Sequence, residues 1–488
     1  ALRTAASRER VVIATGGGMV IAEANRVYMR ERGLVVYLQT EAAIAWQRLQ
    51  THIQSMGQQA ERPLLAGNDG LQRLRDLFAA RVAWYEEAPV SVATDADPSE
   101  GVAQQVFVKA LAHGCLLTNA ARITSNLRLT GAFSQAMIEW GSFCQLPEAL
   151  QALGTRGRVF LITDAAVGAL YAEAARALLR GAGLEPHVFT VPAGEASKSF
   201  ACFQSCIDWL VERRAERSEL VLALGGGVVG DLVGFVASCY QRGVPLVQIP
   251  TTLLAQVDSA IGGKTGINHT HGKNLIGAFY QPTLIFADPA LLLTLPERAY
   301  CEGWAEIVKY GVILDAELFA VLEDRLPDLV RRDADLLTQV VARCIRLKMD
   351  VVQGDERDGG LRNILNYGHT FGHALEATTE YGTWLHGEAV SIGMEVAGRL
   401  AVARGLSAQA DLLRQRQLSQ AIGLPIACPG VDGEAILAAM QHDKKVQAGR
   451  TRWILPTHIG HAQMYSDVPL EQVREAVTAV CQMPGVHA

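Results

Sequence analysis

The chain has 488 residues, 49% of them hydrophobic, and a formal net charge of −6 at pH 7. That length exceeds a single core and points to two or three domains, while the acidic balance excludes the broad positive footprint that nucleic acid or an anionic membrane requires. Nine cysteines occur without a C-x-x-C pair and the first residues lack the order of a signal peptide, so a disulfide framework is not expected and a reducing cytoplasm is.

In chain order, Val11-Val12-Ile13-Ala14-Thr15 is strand-like and runs into Gly16-Gly17-Gly18, then a helix, then a second strand-like run from Leu34 to Leu38. Arg62 precedes Pro63 in a loop-like stretch, and Arg81 and Tyr85 lie one turn apart on an expected helix. Ala93 to Glu100 is polar and holds Pro98, which ends a first module at 1–95 and starts a linker at 96–130. Within that linker, residues 101–130 fit either a last helix of the module or the tether. Over 131–295 strand-like and helix-like runs alternate, with Arg158 to Thr163 a strand and Ala165 to Arg180 an amphipathic helix, the pattern of a parallel sheet covered by helices. Leu220 to Leu224 is an apolar strand leading into Gly225-Gly226-Gly227-Val228-Val229-Gly230-Asp231 and a helix-like stretch to Tyr240; Asp231 and the glycines argue against a membrane span. Beyond Pro296 strand-like runs nearly vanish, and the long amphipathic stretches Ala316 to Val351 and Glu388 to Arg404 predict an all-helical domain over 296–488. The active site is expected in the cleft between these last two domains.

Glycines at a strand-to-helix turn let backbone N–H groups approach a pyrophosphate at the positive end of a helix. A tight structural turn would use the same glycines. Pro250 to Asp258 and Gly262-Gly263-Lys264-Thr265-Gly266 add hydroxyls, a carboxylate and an ammonium close by in sequence, which favours a nucleotide site. Downstream, His369 and His373 in Asn366-Tyr367-Gly368-His369-Thr370-Phe371-Gly372-His373 leave one helix face. With His386-Gly387-Glu388 they supply enough imidazoles for one divalent metal and one anion. Thr370 stands where an H-E-x-x-H protease helix needs its glutamate, so a peptidase is excluded. Glu306 and Lys309, three apart, aim an oxygen ligand and a cation at one place; a surface ion pair is the plain alternative.

These blocks, together with Gly194-Glu195-x-x-Lys198, Arg242-Gly243, Gly272-Lys273-Asn274, Asp355-Glu356-Arg357, Gly360 to Asn363 and Asp443-Lys444-Lys445, resemble the 3-dehydroquinate synthase family from about residue 131 to the end. The resemblance implies conversion of 3-deoxy-D-arabino-heptulosonate 7-phosphate to 3-dehydroquinate and phosphate, a step of the shikimate pathway to aromatic amino acids. That reaction combines transient oxidation at C5 by NAD, loss of phosphate with the substrate's own phosphate oxygen as base, re-reduction, ring opening and aldol closure. A homodimer is implied as well.

By the same resemblance Glu306, His369 and His386 hold zinc, with cobalt the alternative, while His373 contacts an anion. NAD would contact Glu195, Lys198, Gly226, Gly227, Val228, Asp231, Thr251, Thr252, Asp258, Lys264, Lys273 and Thr294, although Asp231 could equally be a plain helix N-terminal charge. Lys264, Asn274, Arg362, His373 and a lysine of the Lys444/Lys445 pair would surround the phosphate, with Arg242 reaching in from a second subunit. Lys348, Arg362 and Asn366 would face the carboxylate, and Asp258 and Lys309 the ring hydroxyls; Arg362 is the planar, bidentate choice. Asp358 stands where many relatives have glutamate and His271 where an apolar residue is frequent; the first shortens a proton relay by one methylene, the second is assigned no role.

The first module resembles the C-terminal half of shikimate kinase, with Gly16, Gly17 and Gly18 against the shikimate ring, Arg62 the lid arginine and Arg81 paired with the carboxylate. No G-x-x-x-x-G-K-[ST] loop precedes Gly16, so the module is read as a fragment of a kinase–synthase fusion, or a remnant, without an ATP cradle or kinase activity. The expected fold is therefore α/β: a partial P-loop-kinase-like module, a Rossmann-like parallel α/β domain and an all-helical metal-binding domain. The rival is a metal-dependent polyol dehydrogenase on the same scaffold. Lys264, Lys273, Arg362 and Lys444/Lys445 argue against it, because a neutral polyol offers them nothing to bind. A non-catalytic scaffold would have no use for a complete ligand set beside an anion cluster.

Overall fold

The computed structural model describes residues 2–7, 11–56, 69–96, 98–116, 118, 121–379, 383–442 and 452–483. Arg62, Lys444 and Lys445 lie outside these. The chain divides into two compact units, residues 1–116 and 117–488.

In the first unit a short parallel pair, Val36–Gln39 with Val90–Ala93, is set among the helices Glu23–Arg32, Ala42–Met56, Gly70–Tyr85 and Ser99–Ala112. The strand expected over Val11 to Thr15 does not form: the segment has no regular structure, and Val11, Val12 and Ile13 are exposed. High β-propensity cannot make a strand without a neighbour to pair its backbone groups and a surface to cover its side chains.

The second unit is built on a seven-stranded sheet in the order Ile123–Leu129, Ala132–Ile138, Leu284–Ala287, Leu246–Pro250, Leu220–Gly225, Arg158–Asp164, Glu185–Val191. Six of its strands are parallel, and only the edge strand Ile123–Leu129 runs against them, in a hairpin with Ala132–Ile138 closed by Thr130 and the left-handed Gly131. The central strands Leu220–Gly225 and Leu246–Pro250 are buried at every residue, which is why they read as unbroken apolar runs. The edge strand Ile123–Leu129 falls in the span expected to be a linker, as does the helix Ser99–Ala112. Its polar sequence, Ile-Thr-Ser-Asn-Leu-Arg-Leu, hides an edge strand as tether. Helix Gly227–Cys239 packs Val229, Val233 and Val236 against Phe160, Ile162 and Leu246, and an antiparallel hairpin, Lys264–His269 with Gly272–Phe279, lies over it.

The remainder of the unit is a helical layer around Glu297–Ile313, in which every residue from Gly303 to Ile313 is buried. The amphipathic stretch from Ala316 to Val351 is two helices, Ala316–Val330 and Ala334–Gly354, rather than one. Arg332 adopts φ 59°, and the Asp333 carboxylate accepts from the Leu336 amide at 3.0 Å to start the second helix afresh. Nor is the layer wholly helical, since Trp453–His458 and His461–Tyr465 form a hairpin that buries Trp453, Ile454 and Leu455. Its alternation is too short to stand out from the surrounding helical pattern.

Candidate active site

Three helices converge on one carboxylate. Glu306 sits mid-helix in Glu297–Ile313, and His369 and His386 are the first residues of His369–Thr378 and His386–Ala403. Glycine contacts bring them together. A Cβ on Gly393 would lie 1.9 Å from the Gly368 carbonyl oxygen, and one on Gly387 would lie 2.0 Å from that of Glu302. Helix His386–Ala403 can therefore touch the backbone of both its neighbours only because these two positions carry no side chain. His369 Nε2 lies 3.4 Å and His386 Nε2 4.0 Å from Glu306 Oε1, and the three donor atoms fall within 4.8 Å of one another. Each imidazole has its other nitrogen engaged, His369 Nδ1 with the Tyr367 carbonyl at 3.0 Å and His386 Nδ1 with Glu376 Oε2 at 3.1 Å.

Glu306 Oε1 is buried and accepts no hydrogen bond among the described residues. A buried carboxylate oxygen in that state is costly unless a cation completes it, and one oxygen with two imidazole nitrogens is a donor set suited to zinc with a position left open. Burial pushes the Glu306 carboxyl up, against the pull of Lys309, which touches Oε2. Burial works against a charged His386, but Glu376, Glu306 and Glu302 outweigh it and raise its pKa. A dication between these groups would instead favour carboxylate and neutral imidazole.

Next to this set is a buried network of charge. Asp258 lies on the π-helical turn Ala255–Ser259, a distortion often found where function fixes a side chain. Lys348 Nζ is 2.8 Å from Asp258 Oδ1 and donates to the Asp258 carbonyl at 2.7 Å, while the Tyr310 hydroxyl donates to Oδ1 at 2.7 Å. Burial alone would raise the Asp258 carboxyl, but Lys348 and Lys309 hold it well below the ordinary carboxylate range. Lys348 itself is pushed down to about 8 by burial, partly offset by Asp258. Arg362, 2% exposed, donates through Nη1 to the Glu356 carbonyl at 2.8 Å and through Nη2 to the Gly262 carbonyl at 3.0 Å. Its Nε is buried without a partner among the described residues. Lys264 pairs with Asp358 at 2.5 Å, and Asn366 Nδ2 is 3.4 Å from Asn363 Oδ1. His373 stands edge-on to His369, ring centroids 5.4 Å apart.

At the glycine turn, helix Gly227–Cys239 starts with Val228 in its first turn and Gly226 at its cap. A Cβ on Gly226 would lie 3.0 Å from Thr252 Cγ2, and one on Gly227 would lie 2.9 Å from Ser259 Oγ. These glycines thus make room for Thr252 and Ser259. Ser259 Oγ and Thr251 Oγ1 are buried without partners among the described residues, so the turn carries unsatisfied polar atoms of the kind a bound nucleotide completes. Lys198 Nζ is 2.7 Å from Asp231 Oδ2 and contacts Asn274 Oδ1; Glu195 Oε1 accepts from Asn268 Nδ2 at 2.8 Å. Asn274, expected at the substrate phosphate, therefore hydrogen-bonds Lys198, an expected NAD contact. The Thr294 hydroxyl is 2.6 Å from that of Tyr171, and Arg242 is exposed on a left-handed turn, φ 65°. Lys273 Nζ donates to Glu376 Oε1 at 2.9 Å. Glu376, Tyr310 and Asn268 went unassigned at the level of sequence. Only Glu376 left a signal there, as a carboxylate on the same helical face as His369 and His373. In the first unit the Gly17 carbonyl accepts from Arg81 Nη1 at 3.3 Å and from the Tyr85 hydroxyl at 3.0 Å, which holds the triple glycine against helix Gly70–Tyr85.

A glycine turn on a parallel sheet, facing helices that present a carboxylate and two imidazoles, defines a class of nucleotide-binding, metal-centred α/β proteins. Models of the 3-dehydroquinate synthase N-terminal and C-terminal regions match residues 188–302 and 303–446, and the shikimate kinase model matches residues 1–111. The 3-dehydroquinate synthase of Nostoc punctiforme is 49% identical over 336 residues, 68% of this chain and 93% of that protein. That of Vibrio atlanticus is 46% identical over 332 residues, 68% of this chain and 92% of that protein. Among solved structures, 2-epi-5-epi-valiolone synthase from Streptomyces hygroscopicus subsp. jinggangensis, with NAD⁺ and Zn²⁺ bound, superposes with TM-score 0.67 at 31% identity over 73% of this chain and 98% of that one. A 2-deoxy-scyllo-inosose synthase complexed with carbaglucose-6-phosphate, NAD⁺ and Co²⁺ gives 0.66 at 26% identity over 73% and 100%. The chain belongs to the 3-dehydroquinate synthase family.

Proposed function

We propose that the chain converts 3-deoxy-D-arabino-heptulosonate 7-phosphate to 3-dehydroquinate and phosphate, using NAD and a divalent ion, zinc in the first place and cobalt as the alternative. The observation that carries this is the buried Glu306 Oε1 faced by the Nε2 atoms of His369 and His386, beside a cluster of buried cations. Bound metal supplies a Lewis acid for the alcohol to be oxidised, and bound NAD a reversible hydride acceptor. Glu306, His369 and His386 hold the ion. Lys198, Asp231, Thr251 and the Gly226–Gly227 turn bind the nucleotide, with Glu195, Val228, Thr252, Lys273 and Thr294 around it. Lys348, Arg362 and Asn366 orient the substrate carboxylate; Lys264, Asn274, His373 and Lys444 or Lys445 bind its phosphate; Asp258 and Lys309 hold ring hydroxyls. Positioning and charge stabilisation do most of what this chain contributes. We propose further that two chains pair in the cytoplasm, the exposed Arg242 of each reaching its partner's phosphate pocket. In the first unit Gly16, Gly17, Gly18 and Arg81, with Arg62, are proposed to receive a hydroxylated ring acid.

A net dehydrogenase on this scaffold would accumulate NADH, whereas the cyclase regenerates its cofactor. Incubation with the heptulosonate phosphate, substoichiometric NAD⁺ and zinc should release phosphate over many turnovers with no build-up of NADH. Conversion of the supplied NAD⁺ to NADH with the reaction stopping there, or no phosphate, would sink the reading.

A further inference from the structure

We propose that Glu376 is a positioning residue that sets the ring of His386 and ties the metal set to the hairpin of the sheet layer through Lys273. Glu376 follows His369 by seven positions on helix His369–Thr378 and is 8% exposed. Its two oxygens serve different partners: Oε2 is 3.1 Å from His386 Nδ1, and Oε1 accepts from Lys273 Nζ at 2.9 Å. A carboxylate can only accept, so the first contact places the proton on Nδ1 and leaves the Nε2 lone pair for the side of Glu306, 4.0 Å away. His369 Nδ1 is instead met by the Tyr367 carbonyl, two residues before it.

Lys273 lies on strand Gly272–Phe279, whose hairpin covers the glycine-turn helix. One buried carboxylate thus joins a ligand of the helical layer to the layer that carries the glycine turn. His373, Glu376 and His386 also present donor atoms within 4.8 Å of one another, which raises direct coordination by Glu376 as the competing role. Both Glu376 oxygens are already at hydrogen-bonding distance from donors, and that favours positioning. The inference rests on Glu306, His369 and His386 being the metal set.

The test is metal affinity of the full chain, measured by competition with a chromophoric chelator for Zn²⁺ and Co²⁺, on wild type, Glu376→Ala, Glu376→Gln and His369→Ala. Glu376→Ala should weaken binding about 10–100-fold, the range for loss of such a partner. At saturating Co²⁺ its absorption bands should match wild type, because no ligand has been removed. Glu376→Gln should fall between the two, since its amide oxygen can still accept from Nδ1–H. Wild-type affinity in Glu376→Ala while His369→Ala loses the ion would overturn the positioning role alone. Unimpaired binding in His369→Ala would overturn the metal set beneath it. Altered Co²⁺ bands in Glu376→Ala would make Glu376 a ligand, and Glu376→Gln binding no better than Glu376→Ala would show that the Nδ1 acceptor is not what matters.

Discussion

At the scale of single residues the chemistry is concentrated in groups that are buried and yet charged. Glu306→Gln and His369→Ala should each abolish metal-dependent turnover, with metal content read in parallel; full activity with bound metal in both would refute the ligand assignment. Lys348 offers a pH test. Its ammonium pairs with Asp258, and burial brings its pKa to about 8 from an ordinary 10.5. As pH rises through about 8 the charge goes, and KM should climb while kcat changes less; Lys348→Met should show a raised KM with that limb flattened. Unfolding does not explain the same limb. Between about 8 and 10.5 the unfolded chain binds this proton and the folded one does not, so the contribution of Lys348 to stability rises with pH there. The residue types were legible in the sequence, as was the Glu306–Lys309 spacing. That Lys348, Arg362 and Tyr310 converge on the Asp258–Gly262 segment was not, because nothing local joins them.

At the scale of elements, bare glycines set how closely helices approach. Gly393→Ala would drive a methyl into the Gly368 carbonyl, so helix His386–Ala403 or the turn before His369 must move. A loss of about 1–3 kcal/mol, the usual cost of overpacking, should appear in denaturant unfolding together with weaker metal binding. Unchanged stability and affinity would show that the contact is slack. Helix Ala316–Val330 depends on Asp315, which accepts from the Leu318 amide at 3.0 Å and takes a bidentate pair from Arg343 at 2.6 and 2.7 Å. Asp315→Ala should cost about 0.5–2 kcal/mol, as for other lost caps. Burial works to raise the Asp315 carboxyl, but Arg343 and the Leu318 amide outweigh it and hold it low. Its contribution is therefore complete above the ordinary carboxylate range and lost as pH falls through the depressed value. Wild type should lose more stability than the variant in acid unfolding curves.

Some elements escaped sequence reading for reasons of the same scale. Ile123–Leu129 is a strand because Ala132–Ile138 pairs with it, not because of its polar residues. Val11 to Thr15 has the opposite composition and no strand partner among the described residues.

At the scale of the whole molecule, the second unit holds all the proposed cyclase groups that are described, and relatives such as that of Nostoc punctiforme align over 93% of their length with 68% of this chain. A polypeptide limited to residues 117–488 should keep the metal affinity and phosphate-releasing activity of the full chain within error. A large loss of either would show that the first unit supports the second.

The sequence by itself determined which donors exist, the glycine turn after an apolar strand and the helical face shared by His369 and His373, because these follow from spacing along a regular backbone. Tertiary structure alone decided that Glu376 joins His386 to Lys273, that Tyr310 meets Asp258, and that a polar run becomes a sheet edge. Each of these depends on contacts between segments far apart in the chain, made at places where two backbones can touch, and no local pattern encodes where those places are.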